Sequence, residues 1–380
     1  MRPSQTSRTE TLALAAATVL LAACSGAEAR MLAQPVIDTL PGGIERVISP
    51  GPTSWERTEG WQLELVHEVS AEEGTPGELI NPQSLALDDW GRVYVVDQKP
   101  AVIKVYGADG QFIRTIGGEG AGPGEFRVGF VAVHEGLVVV QDPQTTRTTV
   151  WDTTGTMVRN WSSSCCYWSD IQVDRQGLVY IPSVLQRGAA EERRPGTPYV
   201  RWTLEGVVRD TVWVPEGSGQ TKNWTVTAGE GGTNRMMMST SVPLSPRLVM
   251  GYNPAGGFLV GWSESYQIAR SPDGSDTSQV FGRSWSPEPV TAARKQAEVD
   301  AMVTRLKDPY GEEVLRKSFK VEDIPDQAPA FLALHVDRNG NRWVRLDPGL
   351  DTTRTRFDVY DEQGVLLGAL AVSPALPMYG

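Results

Sequence analysis

Cysteine and histidine are both scarce in this chain of 380 residues, with three of each. A disulfide framework needs cysteines distributed in pairs along the chain. Here Cys24 stands alone near the N-terminus, and Cys165 and Cys166 are adjacent. Those two either close a strained vicinal bridge or remain as two small loop residues. A structural zinc site needs about four ligands at metal spacing, and none lies near them, so no metal or other cofactor is expected. Basic runs are missing as well, and the net charge is −11. An acidic chain without a cationic stripe is a poor partner for nucleic acid. No G-x-S-x-G elbow is present, and Ser162-Ser163-Ser164 has no base near it in sequence. The glycine-rich loop at 117–124 lacks the Lys-Ser/Thr ending of a phosphate loop and is not followed by a helical pattern, so it reads as a linker.

At the N-terminus, Arg2 and Arg8 precede an apolar core at 12–23, and Leu21-Ala22-Ala23 lead into Cys24. The core is too short for a permanent membrane span and has the build of a signal peptide over 1–23. Its ending resembles the bacterial lipobox, which implies that Cys24 becomes the lipidated mature N-terminus. Ser25 in place of Asp after that cysteine implies, by the same resemblance, the outer membrane. The expected location is its periplasmic side or the cell surface, with acyl chains as the membrane partner. Residues 24–60 then form a Gly- and Pro-rich tether with one lead-in strand at 44–49.

Residues 80–126 organise the rest. Four short runs rich in Val, Ile and Tyr, at 84–87, 93–96, 102–106 and 112–116, suit a pleated, half-buried surface. Between them stand Asp88-Asp89-Trp90-Gly91, Asp97-Gln98-Lys99-Pro100 and Ala108-Asp109-Gly110, the residue types that make tight turns. This pattern predicts a four-stranded meander of roughly 45 residues, the size of a propeller blade. The succession PQSLALDDWGRVYVVD, IKVYGADGQFIRTIG and GEGAGPGEF closely resembles an NHL-type β-propeller repeat. The chain as a whole resembles the bacterial six-bladed propeller lipoproteins related to that family. That resemblance implies a fold and leaves the function open, because propellers host many activities.

Weaker copies follow at 131–161, 171–214, 248–281 and 331–372, with Gly136 about 45 residues after Gly91. Within the helical insertion expected at about 291–319, Val299, Met302, Val303 and Leu306 recur at helical spacing, with Thr291 as the N-cap. The stretch WQLELVHEV at 61–69 alternates like an outer strand. A closed ring is commonly stitched from both chain ends. The fold expected is therefore an all-β six-bladed propeller over 61–380, its sixth blade incomplete at the C-terminus for want of about three strands. The rival is a five-bladed ring in which 61–69 extends an existing blade.

Superposing the repeats separates the three histidines. His335 falls near the channel, His134 in a turn and His67 on an outer strand, which leaves no metal site and no catalytic histidine. Aligned on Gly110, Gly155, Gly274 and Gly364, the third strands begin at Val102, Arg147, Tyr266 and Arg356. Arg147, Tyr266 and Arg356, joined by Tyr167 and Trp168 from a neighbouring linker, form the candidate binding face, since arginine offers a planar donor fork. The alternative is that both arginines pair with nearby acids such as Asp142 and Asp351. The expected function is a non-enzymatic binding or scaffold module of the cell envelope, meeting a protein, peptide or glycan through its loop face. The alternative is a hydrolase or lyase of the lactonase or amidating-lyase type, with its site in the central channel.

Overall fold

The computed structural model describes residues 34–50, 55, 60–65, 68–69, 71–163, 169–183, 196–214, 217, 219–228, 236–349 and 351–374. Cys24, Cys165, Cys166, His67, Tyr167 and Trp168 lie outside them. Five antiparallel meanders of four strands follow one another: blade I at 82–116, II at 130–162, III at 172–214, IV at 248–283 and V at 333–372. The middle strands of blade I, Val93–Gln98 and Ala101–Tyr106, are buried on both faces, as their near-continuous apolar runs require. Asp97 and Lys104 are exceptions and pair with each other. The Lys104 ammonium group lies 3.1 Å from Asp97 and donates to the Glu78 carbonyl.

The repeat chemistry is visible at the first turns of blades I, III and V. The Asp88 carboxylate accepts the Trp90 and Arg92 N–H groups, Asp174 those of Gln176 and Leu178, and Asp337 those of Asn339 and Asn341. The same carboxylates accept a donor six residues on: the Tyr94 hydroxyl, the Tyr180 hydroxyl and the Trp343 indole. Gly91, at φ +78°, supplies the left-handed conformation that closes the first of these turns.

Separate apolar clusters join consecutive blades. Tyr94, Ile103, Val131 and Trp151 join I to II, and Phe130, Val150, Ile171 and Val179 join II to III. Tyr180, Tyr199 and Phe258 join III to IV, and Leu259, Phe281, Phe331 and Val344 join IV to V. No such cluster joins V to I among the described residues. There Trp61 packs between Trp55 and Trp343 with its ring tilted against both, at centroid distances of 5.3 and 5.8 Å. Further along, the Gly77 carbonyl accepts the Tyr106 hydroxyl at 2.6 Å. The chain from 55 to 80 thus touches blade V at one end and blade I at the other. Arg338 of blade V closes the seam by donating to the Leu87 carbonyl at 2.6 Å and pairing with Asp89 at 3.2 Å.

The expected sixth blade is therefore corrected to five. No strand forms at the described residues of 61–69. A lone amphipathic strand has no neighbour for its backbone groups, and Trp61 is instead held by the two tryptophans.

The lead-in strand is present. Val36–Leu40 and Ile44–Ser49 form a hairpin whose second strand runs parallel to the outer strand of blade IV, Gln279–Arg283. Helices α1 (Ala292–Tyr310) and α2 (Glu312–Ser318) occupy the expected insertion, and the Thr291 hydroxyl accepts the Arg294 N–H. They pack on a hairpin that the sequence pattern did not reveal, Asn223–Ala228 with Met236–Ser241. No helix among the described residues is long and apolar enough to cross a membrane.

Candidate functional site in the central channel

The first strand of each blade lines the axis, so the residues that reach the channel are those at the starts, inner faces and ends of these strands. Blades III, IV and V wall a cavity of about 450 Å³, within the range of small-molecule sites. The ionisable side chains that line it include Asp170 ahead of the first strand of blade III, Asp174 at the turn of that blade, Arg247 ahead of the first strand of blade IV, and His335 within that of blade V. Ser169, Gln172, Tyr180, Tyr252 and Asn253 add neutral polar groups to its lining. A second chamber of about 490 Å³ lies at the turn end of the channel and shares Val173, Asp174 and Pro254 with the first. Turns of all five blades meet there, including Trp90, His134, Arg175 and Arg338.

Burial governs the charges of the cavity. Arg247 donates to the Leu332 carbonyl at 3.1 Å, and among the described residues no carboxylate lies within ion-pair distance of it. Burial alone pulls its pKa below the usual guanidinium value. Asp170 is pushed up by burial, against which a hydrogen bond from the Ser84 hydroxyl at 2.9 Å works. His335 opens toward the water of the channel yet is surrounded by protein. Burial, and then the charge of Arg345, lower its pKa from 6.5, so it is neutral at pH 7. The described residues contain no group of three or more His, Cys, Asp or Glu side chains able to hold a metal ion.

The residues nominated at the third-strand starts are dispersed. Arg147 donates to the carbonyls of Ala121, Gly122 and Glu125 at 3.0, 2.9 and 2.7 Å. It therefore pins the glycine-rich linker, whose Gly122 N–H donates to the Glu125 carboxylate. Tyr266 does not reach the surface. It is 3% exposed in the core between blades IV and V, and its hydroxyl donates to Asp358 at 2.6 Å. Arg356 is half-buried near Glu288 at 3.5 Å and the Asp347 carbonyl at 3.3 Å. Its partners are neither Asp142 nor Asp351, and Asp142 instead accepts the Arg127 and Gln144 N–H groups.

Third-strand starts sit out along the blade, away from the axis. The signal for the channel residues lay elsewhere. Counted back from Gly91, Gly136, Gly177 and Gly340, the equivalent positions are Ser84, Gly129, Asp170 and Ala333. A carboxylate where blades I, II and V carry small residues marks Asp170.

No family model matches the chain, and no curated protein matches its sequence. Solved structures with a similar chain path include an exported protein from Bacteroides fragilis, at TM-score 0.40 and 11% identity over 80% of this chain and 74% of that one. A protein of unknown function from Bacteroides caccae aligns at TM-score 0.39 and 10% identity, over 89% and 93% of the two chains. A catalytically inactive virginiamycin B lyase from Staphylococcus aureus, solved with quinupristin, aligns at 0.35 and 9%, over 78% and 71%. Likeness of this degree carries nothing about substrate, partner or activity.

Proposed function

We propose that this chain is an exported, NHL-like propeller, anchored through a lipid on Cys24, that acts as a binding module for a small anionic ligand. The observation that carries the binding role is Arg247: a guanidinium facing a cavity, with no carboxylate beside it among the described residues. A guanidinium without a carboxylate partner is free to take a charge-assisted bond from an anion that enters the cavity. The binding reading moves inward, from the third-strand starts to the channel. Export and anchoring rest on the N-terminal segment.

The test is calorimetric titration with small carboxylates, expected to show saturable binding that Arg247→Gln weakens by roughly ten- to a hundredfold. Equal affinities for wild type and variant would overturn the assignment. Anchoring is tested by Cys24→Ala, which should move the protein from the membrane to the soluble fraction.

A second reading, a channel lyase or hydrolase, draws on His335, a neutral imidazole lining the same cavity as Asp170 and therefore able to take a proton at neutral pH. Turnover of a lactone or depsipeptide panel by wild type, lost in His335→Ala, would replace the binding role with this one.

A further inference from the structure

The chamber of about 490 Å³ at the turn end of the channel holds a tryptophan that the fold does not use. Trp90 is 63% exposed, although an indole is among the side chains that gain most from burial. The Arg92 guanidinium lies over its ring, 5.0 Å from the centroid, and is itself fixed by the Asp88 carboxylate at 2.6 Å. One face of the indole is thus backed by a held cation, and its exposure lies on the other face and the edge.

Hydrogen-bonding groups stand beside that ring in an unbroken series. Asp89, its neighbour in the chain, pairs with Arg338 of blade V at 3.2 Å. The Arg338 carbonyl accepts the Arg175 guanidinium of blade III at 2.6 Å. Among the described residues, no carboxylate lies within ion-pair distance of Arg175. His134 of blade II adjoins the Arg175 turn, because a Cβ on Gly177 would lie 3.6 Å from its ring nitrogen. Glu135 follows it, 3.9 Å from the imidazole, at φ +45°. Glycine and asparagine take that conformation at less cost, so the turn alone does not call for a carboxylate there.

Charge narrows the class of ligand. An anion would meet the carboxylates of Asp88, Asp89, Glu135 and Asp174, which outnumber the lining arginines. A cation would meet Arg175 and Arg338, with Arg92 behind the indole. A neutral molecule rich in hydroxyls uses both signs, since each hydroxyl donates and accepts. The open indole face carries partial negative charge. The C–H groups on one face of a pyranose are the apolar, weakly positive surface that matches it.

We infer that the turn-end chamber binds a neutral sugar, one pyranose ring lying on Trp90 with its hydroxyls shared among Asp89, Glu135, Arg175 and Arg338. The site is separate from the Arg247 cavity and does not depend on the anion reading.

Calorimetry of the whole protein with cellobiose and with N,N′-diacetylchitobiose tests the assignment, with glucuronate, glucosamine and adenosine as comparators. At least one of the two neutral sugars should bind saturably in the millimolar range. Trp90→Ala should weaken that binding roughly tenfold or more. Trp90→Phe, which keeps an aromatic face, should weaken it by only about two- to threefold. Arg247→Gln should leave it unchanged, which keeps this site distinct from the channel cavity. Melting midpoints near that of wild type certify that the variants are folded. Equal sugar affinity in wild type and Trp90→Ala overturns the site, as does the absence of binding by both sugars. Tighter Trp90-dependent binding of glucuronate or glucosamine overturns the neutral ligand. Trp90-dependent binding of adenosine in place of the sugars assigns the platform to flat aromatic rings and overturns the sugar.

Discussion

Gly251 shows how tightly the channel wall is built. A Cβ at this position would lie 2.3 Å from the Leu334 carbonyl oxygen, a backbone atom with no rotamer to change. Gly251→Ala must therefore push blade IV from blade V, and overpacking of this kind costs roughly 1–3 kcal/mol. A thermal melt should show the loss, and the carboxylate titration should show weaker binding, since both blades wall the cavity. His335 gives the residue scale a pH dependence. Its folded-state pKa lies below the ordinary 6.5, so on acidification the unfolded chain takes up the proton first. Stability should fall as the pH drops below about 6.5, and level off beneath the folded-state value. His335→Gln should flatten that segment of a denaturation series, and an unchanged slope would show that another group is responsible.

Among the elements, the N-terminal hairpin has an inner and an outer strand of opposite character. Val47 is 1% exposed and belongs to the core between blades IV and V, whereas Ile37 on the neighbouring edge strand is 61% exposed. The Ser49 hydroxyl accepts the Leu366 N–H of blade V at 3.0 Å, so the hairpin ties two blades together. Val47→Asp should cost several kcal/mol, because a carboxylate without a partner is buried there. Ile37→Asp should change stability by less than about 0.5 kcal/mol, and urea titration distinguishes the two. The insertion is held differently. Trp224 stacks on Phe319 with centroids 4.7 Å apart, and its indole donates to Asp323 at 2.9 Å. Among the described residues, that core is drawn from the strands Asn223–Ala228 and Met236–Ser241, the segment that follows them and the helical region. Trp224→Ala, at roughly 3–5 kcal/mol, should loosen hydrogen exchange in α1 and α2 while leaving ligand binding at Arg247 intact.

At the scale of the whole molecule, the ring is unequal around its circumference. Apolar clusters join four consecutive seams, and the fifth is crossed by the 55–80 segment and by Arg338. Leu85 and Leu87, on the first strand of blade I, remain 64% and 49% exposed beside it. Arg338 and Asp89 are themselves open to solvent, and pairs of this kind contribute about 0–1 kcal/mol. Arg338→Ala should therefore barely move the melting midpoint. It should nonetheless raise hydrogen exchange in Pro82–Leu87, because the bond to Leu87 is what holds that strand to blade V. Exchange unchanged at that strand would assign closure of the seam to the 55–80 segment.

The sequence by itself determined the blades. Runs of β-branched residues, broken by Asp-x-x-Gly turns at regular intervals, encode strands and hairpins through local chemistry, and the four strands of blade I form where those runs lie. The helical insertion was legible for the same reason, because a period of three to four residues is a local signal. The number of blades was not. Alternation at 61–69 is compatible with a strand, but a strand exists only where a neighbour accepts its hydrogen bonds, and Trp55 and Trp343 drew Trp61 elsewhere. Nor did any single repeat reveal the cavity. Asp170, Arg247 and His335 come from three different blades, and their meeting depends on how the blades are arranged about the axis. That arrangement is a product of packing between faces far apart in the chain, so only the tertiary structure could decide it.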